Sequence, residues 1–396
     1  MHEVLIDVTR LLDRRMQGRL PTGVDRVSFE YVRYFADRST ALVRFAGQWI
    51  ELWRRDSARV FAALLTPAEK TAQGFRSLVR RVVAKALPRS VGRRFSAARL
   101  LFNTGHSGLE KPHYVRRLRG SGLQPLFFVH DLIPITYPEY CRPGEAERHR
   151  RRMNTMLDTG QGVIANSAAT LEVLAAYGKA NALTMPPAVV AHLAPPDLRR
   201  LGAETVAGVA SQRPYFVMLG TIEPRKNHWL LLQLWRQLIE RFGERAPRLV
   251  IIGQRGWECE NVVDLLERCD VLQGFVVEYP SCSDAELASW LQHAQALLFP
   301  SFAEGYGMPL VEALALGVPV IASELPAFRE IAGDIPEYVD PLDGKRWGEL
   351  VIEYARNDSA ARAAQCQRMV GFVLPTWDAH FQQVEALMAR LSVTTR

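Results

Sequence analysis

The chain has 396 residues and a formal net charge of +7, and 48% of its residues are hydrophobic and 23% charged. This length predicts two domains of about 200 residues each, and the ordinary globular composition excludes a disordered or fibrous chain. No apolar stretch approaches the ~20 residues that span a bilayer and no signal peptide is evident, so we expect a cytoplasmic protein. The five cysteines lack CxxC or zinc-type spacing, so we expect reduced thiols and no metal site.

The first part of the chain alternates buried strands with helical patterns, which is typical of a parallel sheet covered on both faces. Strands are predicted at 4–8, 100–103, 126–129 and 163–165. His130 follows the third of these strands, at the edge where such sheets bind ligands, and is a candidate site residue. His106, in the segment NTGHSG after the second strand, is a weaker candidate at the same edge.

A run of cations between Glu69 and Glu110 accounts for the positive net charge. Its members are Arg76, Arg80, Arg81, Lys85, Arg89, Arg93, Arg94 and Arg99. Apolar residues recur at helical spacing from Phe75 to Leu87 and Pro88 ends the pattern, which predicts a basic amphipathic helix. We expect residues 75–99 to contact an anionic membrane surface, and the alternative is a helix docked on its own domain with a solvated basic face. Nucleic acid is not an expected partner, because aromatic stacking residues are not interleaved with these cations.

A second α/β series follows a proline-containing segment at 191–208, which predicts an interdomain linker. Strands are predicted at 215–219, 249–252, 271–275, 296–299 and 318–322. Each precedes a loop and a helical pattern, as in a doubly wound sheet. Gly220 and Gly253 directly follow two of these strands, at the edge where ligands bind. No GxGxxG segment occurs, so a nicotinamide or flavin enzyme is not expected.

Two carboxylates stand eight positions apart in SFAEGYGMPLVEALALGVPVIAS. Glu304 lies in a glycine-containing loop, and Glu312 lies just inside a helix that is predicted to begin at Pro309. Gly305 and Gly307 let a ligand approach the main chain, and the amino end of the helix favours an anion. Carboxylates accept hydrogen bonds from hydroxyl groups. The segment therefore predicts a ligand with a diphosphate and sugar hydroxyls; the alternative for Glu312 is a surface residue that suits the helix dipole.

Arg225 and Lys226 follow the strand at 215–219 in the segment GTIEPRKNHW. Guanidinium binds phosphate oxygens in bidentate fashion and ammonium acts as a point charge, so the pair can neutralise a diphosphate leaving group without a metal. No DxD segment, which would hold a metal ion, occurs in the sequence. The alternative is a solvated basic turn that pairs with Glu223.

The segments EPRKN, LVIIGQRGW, FPSFAEGYGMPLVEALALGVPVIAS and YVDPLDG resemble glycosyltransferase family 4, over most of residues 215–345. The resemblance implies the α/β GT-B fold, with two doubly wound Rossmann-like domains facing a central cleft. It implies metal-independent transfer of a sugar, with retention of configuration, from a nucleotide-diphosphate sugar that is a co-substrate, with no further cofactor. We expect an acceptor-binding domain at 1–195, a linker at 196–213, a nucleotide-sugar-binding domain at 214–375 and a final helix at 376–396 that packs back on the first domain.

The resemblance also implies residue roles. Glu304 would hold donor-sugar hydroxyls, Glu312 the ribose, Arg225 and Lys226 the diphosphate, and His130 would sit over the donor sugar. The residues expected to bind the nucleotide sugar are Gly23, Gly220, Thr221, Gly253, Gly305, Tyr306, Gly307, Met308 and Glu312.

Two positions depart from the family pattern. RLPTGVDRV resembles the amino-terminal glycine loop but has a single glycine, Gly23, and Thr221 stands where relatives often carry arginine. Diphosphate binding is therefore expected to depend more on Arg225 and Lys226.

The expected reaction moves a hexose or deoxyhexose onto a glycan or lipid-linked glycan in bacterial surface polysaccharide synthesis, at the inner face of the membrane. Domain closure would exclude water, and the departing diphosphate would take the acceptor proton in a front-face displacement. Replacing Glu304 by alanine is expected to abolish transfer and leave the fold intact. The alternatives are a sugar-nucleotide epimerase or a phosphorylase of the same fold, and a catalytically silent nucleotide-sugar-binding subunit of a membrane assembly.

Overall fold

The computed structural model forms two Rossmann-like domains, each built on its own sheet. The residues that it describes are 4–66, 72–90, 95, 99–198 and 213–394. Most of the predicted linker at 196–213 lies outside them, as do Arg93 and Arg94 of the basic segment.

The first sheet has seven strands in the order β3-β2-β1-β4-β5-β6-β7. Their bounds are β1 Val4–Asp7, β2 Ser39–Phe45, β3 Gln48–Glu51, β4 Leu100–Asn103, β5 Gln124–Val129, β6 Gly162–Ala165 and β7 Ala188–Val190. All neighbours pair in parallel except β2 and β3, which form an antiparallel hairpin. The four strands predicted in this half are present, and β2, β3 and β7 were not predicted.

Eight helices belong to the described part of the first domain. They are α1 Thr9–Met16, α2 Gly23–Phe35, α3 Arg54–Leu65, α4 Ala72–Ser90, α5 Pro112–Arg119, α6 Ile133–Thr136, α7 Glu145–Thr159 and α8 Ala168–Ala180. Ser167 caps α8, because its side chain accepts a hydrogen bond from the amide of Thr170. The amino end of α8 is therefore fixed at the edge of the sheet that faces the second domain.

The second sheet has six parallel strands in the order β10-β9-β8-β11-β12-β13. Their bounds are β8 Tyr215–Leu219, β9 Arg248–Ile252, β10 Val276–Tyr279, β11 Leu297–Phe299, β12 Val320–Ser323 and β13 Glu337–Val339. The strand predicted at 271–275 is wrong. Asp270–Leu272 forms a 3-10 turn, and Gly274, with φ of 77°, turns the chain before β10 begins.

The remaining helices cover the second sheet and end on the first domain. They are α9 His228–Phe242, α10 Glu260–Arg268, α11 Asp284–Gln292, α12 Met308–Ala315, α13 Pro326–Ala332, α14 Gly344–Tyr354, α15 Ala360–Arg368 and α16 Trp377–Thr394. In α16 the ring of Phe381 stacks on Tyr34 of α2 with 3.9 Å between centroids, and His380 Nε2 lies 3.1 Å from the Tyr31 hydroxyl. The last helix thus joins the core of the first domain.

The basic helix α4 docks on its own domain through its apolar face. The buried residues of that face are Phe75, Val79, Val82, Val83 and Ala86, and they join the core cluster of the domain. Lys85 pairs with Asp56 of α3 at 3.0 Å, whereas Arg80 and Arg81 are exposed. The helix therefore docks on its own domain, and this apolar face is not free to enter a membrane. Within the described residues, no helix is both long enough and apolar enough to cross a bilayer.

Candidate active site

Two glycines shape the carboxyl ends of β8 and β9. A Cβ atom on Gly253 would lie 1.9 Å from the Gly220 carbonyl oxygen, so only glycine fits there. Gly220 has φ of 144°, and a Cβ on it would lie 3.3 Å from Lys226 Nζ. The lysine side chain therefore passes directly over the end of β8, with Thr221 next in the chain. Gly220 and Gly253 lie at the carboxyl ends of these strands, as predicted, and here they allow close packing of the loops and of Lys226.

An ion cluster connects the two predicted motifs. The Glu304 carboxylate lies 2.7 Å from Arg225 Nη1 and 2.6 Å from Lys226 Nζ, and it accepts a 2.8 Å hydrogen bond from Ser301 Oγ. Arg225 Nε pairs with Glu223 at 2.6 Å. The pairing with Glu223 that the sequence suggested is present, but it is largely buried rather than solvated, because the Arg225 and Glu223 side chains are 20% and 3% exposed.

The electrostatics of this cluster keep Glu304 ionised. Burial alone would raise the pKa of Glu304, but the charges of Arg225 and Lys226 and their hydrogen bonds lower it to about 2. Burial lowers the pKa of Lys226, and Glu304 opposes that shift. The two cations are thus held in fixed positions by carboxylates beside the glycine loop, which makes them preorganised for an anionic ligand.

The loop at 304–308 presents main-chain donors. None of the described residues accepts a hydrogen bond from the amides of Gly305, Tyr306, Gly307 or Met308. Gly307, with φ of 109°, precedes α12, which begins at Met308, one residue before the predicted Pro309. Four unpartnered N–H groups at the start of a helix form a site for an anion or for ligand oxygens.

The first domain orients this loop through α8. The Gly305 carbonyl accepts hydrogen bonds from Ser167 Oγ at 2.8 Å and from Thr170 Oγ1 at 3.0 Å. In a trans peptide the C=O and N–H groups point in opposite directions, so the Tyr306 amide points away from α8. A Cβ on Gly305 would lie 2.2 Å from the His130 carbonyl oxygen. Sequence reasoning missed Ser167 and Thr170, because residues more than a hundred positions away leave no local signal.

The Tyr306 side chain is not available to a ligand at the loop 304–308. Tyr306 is buried, and its hydroxyl donates to the Leu193 carbonyl in the segment between the two sheets. The predicted role of Tyr306 can therefore involve its amide but not its ring.

His130 is buried at the end of β5 with a defined proton position. Its Nε2 lies 2.7 Å from the Thr104 carbonyl oxygen, and because a carbonyl only accepts, the proton is on Nε2. Burial lowers the pKa of His130 to about 4, so the ring is neutral near pH 7. Nδ1 has no partner among the described residues and is a free acceptor. His106, the weaker candidate, is instead buried and donates to the Phe128 carbonyl at 2.7 Å.

Glu312 lies inside the protein and faces an arginine of the first domain. It is 5% exposed, so the surface alternative is wrong. Arg26 Nη1 lies 3.9 Å from the Glu312 carboxylate, and Arg26 Nη2 lies 2.8 Å from the Asp284 carboxylate. Burial raises the pKa of Glu312 to about 7, although Arg26 opposes the shift. Gly23 begins α2, one turn before Arg26, and has open space around it.

Further contacts hold the two domains together on both sides of the cleft. The Tyr140 ring stacks on Phe302 with 5.4 Å between centroids, and Trp257 Nε1 donates to the Tyr140 carbonyl at 3.0 Å. Glu330 of α13 accepts from the first two amides of α8 at 2.7 and 3.0 Å and from His192 Nε2 at 2.7 Å. The two domains are therefore in contact on both sides of the cleft.

The second domain matches the model of a known family. The model for glycosyl transferases group 1 matches residues 204–364. The chain is 28% identical over 249 residues to the serotype-specific mannosyltransferase WbdA of Escherichia coli, covering 58% of this chain and 29% of WbdA. It is 31% identical over 164 residues to O-antigen chain mannosyltransferase B of Escherichia coli, covering 41% of this chain and 42% of that protein. The matched region thus spans less than half the length of these relatives.

Solved structures match the whole chain. Alr3699/HepE of Anabaena, in complex with UDP, gives a TM-score of 0.62 at 15% identity and covers 99% of this chain and 98% of its own. The α,α-trehalose 6-phosphate synthase of Burkholderia multivorans gives 0.62 at 12% identity and covers 99% of both chains. These low identities show the fold alone. The chain therefore has the GT-B fold, and its residues 204–364 match the model for glycosyl transferases group 1, in agreement with the resemblance seen in the sequence.

Proposed function

We propose that this chain is a retaining glycosyltransferase that moves a hexose or deoxyhexose from a nucleotide-diphosphate sugar to a glycan or lipid-linked glycan in bacterial surface polysaccharide synthesis. The observation that carries the proposal is the position of Arg225 and Lys226 at the loop whose four amides have no partner among the described residues. The mannosyltransferase relatives make a mannose donor the first to test.

The donor diphosphate would enter between the cation pair and the amino end of α12. Arg225 and Lys226 now share the charge of Glu304, and an incoming diphosphate would take over part of these contacts. Glu304 oxygens would then accept hydrogen bonds from sugar hydroxyls. The cations stabilise the negative charge that develops on the departing diphosphate, which is the largest electrostatic contribution we assign.

Two further residues would contact the donor. The free Nδ1 acceptor of neutral His130 suits a hydroxyl of the donor sugar. The Glu312 carboxylate suits the hydroxyls of a ribose, which would enter near the 3.9 Å gap between Glu312 and Arg26.

In this proposal the anomeric configuration is retained because the acceptor hydroxyl attacks the anomeric carbon on the face that the diphosphate leaves. The bond between the anomeric carbon and the diphosphate oxygen breaks, the acceptor oxygen bonds to that carbon, and a diphosphate oxygen takes the hydroxyl proton. The protein residues position the groups and stabilise charge; we assign no metal and no cofactor besides the donor itself. Domain contact excludes water that would otherwise hydrolyse the donor.

A peripheral location at the inner face of the membrane is also part of the proposal. It depends on the exposed cations Arg80 and Arg81, because the apolar face of α4 is buried. Binding to vesicles of anionic lipid at low salt, lost at high salt, would support it. Failure to bind such vesicles would refute it.

The activity test uses GDP- and UDP-linked sugars with short glycan acceptors. We expect release of nucleoside diphosphate together with a new glycosidic bond that keeps the donor's anomeric configuration, as read by NMR. An inverted product would contradict the mechanism. Isomerised donor without acceptor use would favour the epimerase, and donor binding without turnover would favour a silent subunit.

A further inference from the structure

A polar cavity of about 350 Å³ lies in the first domain, at the carboxyl ends of β1, β2 and β4. The basic side chains of its wall are those of Arg10, Arg44, Lys111, Arg148 and Arg152. Two acidic side chains also line it, so the lining has an excess of positive charge. Such a wall favours an anionic ligand over a neutral one.

The loop NTGHSG is built around two of these arginines. A Cβ atom on Gly108, which has φ of 85°, would lie 2.0 Å from Arg44 Nη1, and a Cβ on Gly105 would lie 2.7 Å from Arg10 Cδ. Arg44 is fixed further by Asp7 at 2.8 Å and by the Ser107 hydroxyl at 2.7 Å. Arg10 is fixed in turn by Asp25 at 2.8 Å, so both guanidinium groups are held in place beside this glycine loop.

Two other cations at this cavity are free to move. Lys111 is exposed and has no ion-pair partner among the described residues. The Arg148 side chain is 50% exposed, and its contacts with Glu110 and Glu145 are long, at 3.4 Å each. The ring of Phe45, which is 60% exposed, also lines the cavity. Fixed arginines, mobile cations and an open aromatic face suit a ligand that joins an anionic group to a sugar ring.

The cavity adjoins the proposed catalytic cleft. Thr104, whose carbonyl holds His130 Nε2, directly precedes Gly105 of the cavity wall. Arg10 is close enough to His130 for its charge to oppose protonation of that ring. The cavity wall and the support of His130 are therefore parts of the same loop.

We propose that this cavity binds the acceptor through a phosphoryl group, supplied by a sugar phosphate or by the diphosphate of a lipid-linked sugar. The proposal rests on the proposed function, which makes this domain the acceptor side. The fixed arginines Arg10 and Arg44 form the base for the phosphoryl oxygens, and Lys111 and Arg148 close over them.

The test is calorimetric binding of matched ligands, with the donor site saturated by UDP and GDP. Mannose and mannose 6-phosphate differ only in the phosphoryl group, and a short-chain prenyl diphosphate mannose represents the lipid source. The variant is Lys111→Ala with Arg148→Ala. Its matched control is Lys179→Ala with Arg151→Ala, which removes the same charge from exposed positions outside the cavity.

We expect a phosphorylated ligand to bind and mannose not to, and the cavity variant to weaken binding by about tenfold or more, since two charge-assisted contacts are lost. The control should change affinity less than about twofold, because neither of its side chains lines the cavity and both are exposed to solvent that screens their charge. Which phosphorylated ligand binds identifies the source. Equal affinity in the variant and the control, or no binding of either phosphorylated ligand, would overturn the inference.

These results separate the inference from the proposed function. Transfer to a neutral acceptor without phosphate binding would overturn the cavity assignment and leave the glycosyltransferase proposal standing. Phosphate binding in a chain that consumes no nucleotide sugar would support the cavity assignment and contradict the glycosyltransferase proposal.

Discussion

Replacing Glu312 by glutamine tests whether this carboxylate is buried as the structure describes. Glu312 is 5% exposed, and its nearest cation, Arg26, lies 3.9 Å away, too far for a good hydrogen bond. Glutamine keeps the shape and removes the charge. Wild-type protein must ionise a buried carboxyl as the pH rises, and the variant does not.

The magnitude follows from the pKa, which burial raises from the ordinary 4.5 to about 7. The folded state therefore binds the proton more tightly than the unfolded chain does, so its stabilisation is complete below about pH 4.5 and is lost as the pH rises through about 7. At about 1.4 kcal/mol for each pH unit, the loss is about 3 kcal/mol. Relative to the wild type, the free energy of unfolding of the variant should therefore rise by about 3 kcal/mol between pH 4.5 and pH 8.

Urea unfolding at a series of pH values measures this difference. Glu349→Gln is the matched control, because Glu349 has a half-exposed side chain in the same domain, and it should change stability little at any pH. A Glu312→Gln difference that is the same at pH 5 and pH 8 would refute the burial argument. Donor binding should weaken in the variant, because a charged acceptor for the ribose is lost.

The other predictions concern the ion cluster and the domain contacts. Glu304→Gln should abolish transfer and also lower the free energy of unfolding by about 3 kcal/mol, because buried Lys226 loses its charged partner and Arg225 keeps only Glu223; circular dichroism and urea unfolding would check this, and full stability would contradict it. Thr170→Val removes one hydrogen bond to the Gly305 carbonyl, so kcat should fall while global stability changes by only about 1 kcal/mol; an unchanged kcat would show that this bond does not position the loop. Tyr140→Ala removes the stack on Phe302, worth about 1 kcal/mol, and small-angle scattering should show a more open chain; an unchanged profile would contradict a closing role.

The structure changes one sequence-based expectation about Glu304. The sequence suggested that Glu304→Ala would leave the fold intact. In the structure its carboxylate is the shared partner of buried Lys226 and half-buried Arg225. We therefore expect its loss to lower stability as well.

The central strands could be predicted because each is a short run of buried apolar residues. The run at 271–275 has three apolar residues, yet Gly274 turns the chain and the strand begins only at Val276. Strand β2 and the edge strand β3 were missed because a hairpin with exposed positions such as Phe45 lacks a continuous apolar run.

The site could be predicted only within each domain. Gly220 and Gly253 are recognisable because they follow strands directly, and Arg225 and Lys226 because they stand in the loop between β8 and α9. The partners that cross the cleft, such as Arg26 at Glu312, depend on how the domains meet, and no local pattern encodes that.

The central claim is that a nucleotide sugar binds with its diphosphate between the Arg225 and Lys226 pair and the amides that open α12. A crystal structure of the protein with a nucleotide-diphosphate sugar tests it directly. The account predicts diphosphate oxygens on Arg225, Lys226 and the amides at 305–308, sugar hydroxyls on Glu304 and ribose hydroxyls on Glu312. A nucleotide sugar bound elsewhere, with the Glu304 ion pairs unchanged, would contradict it.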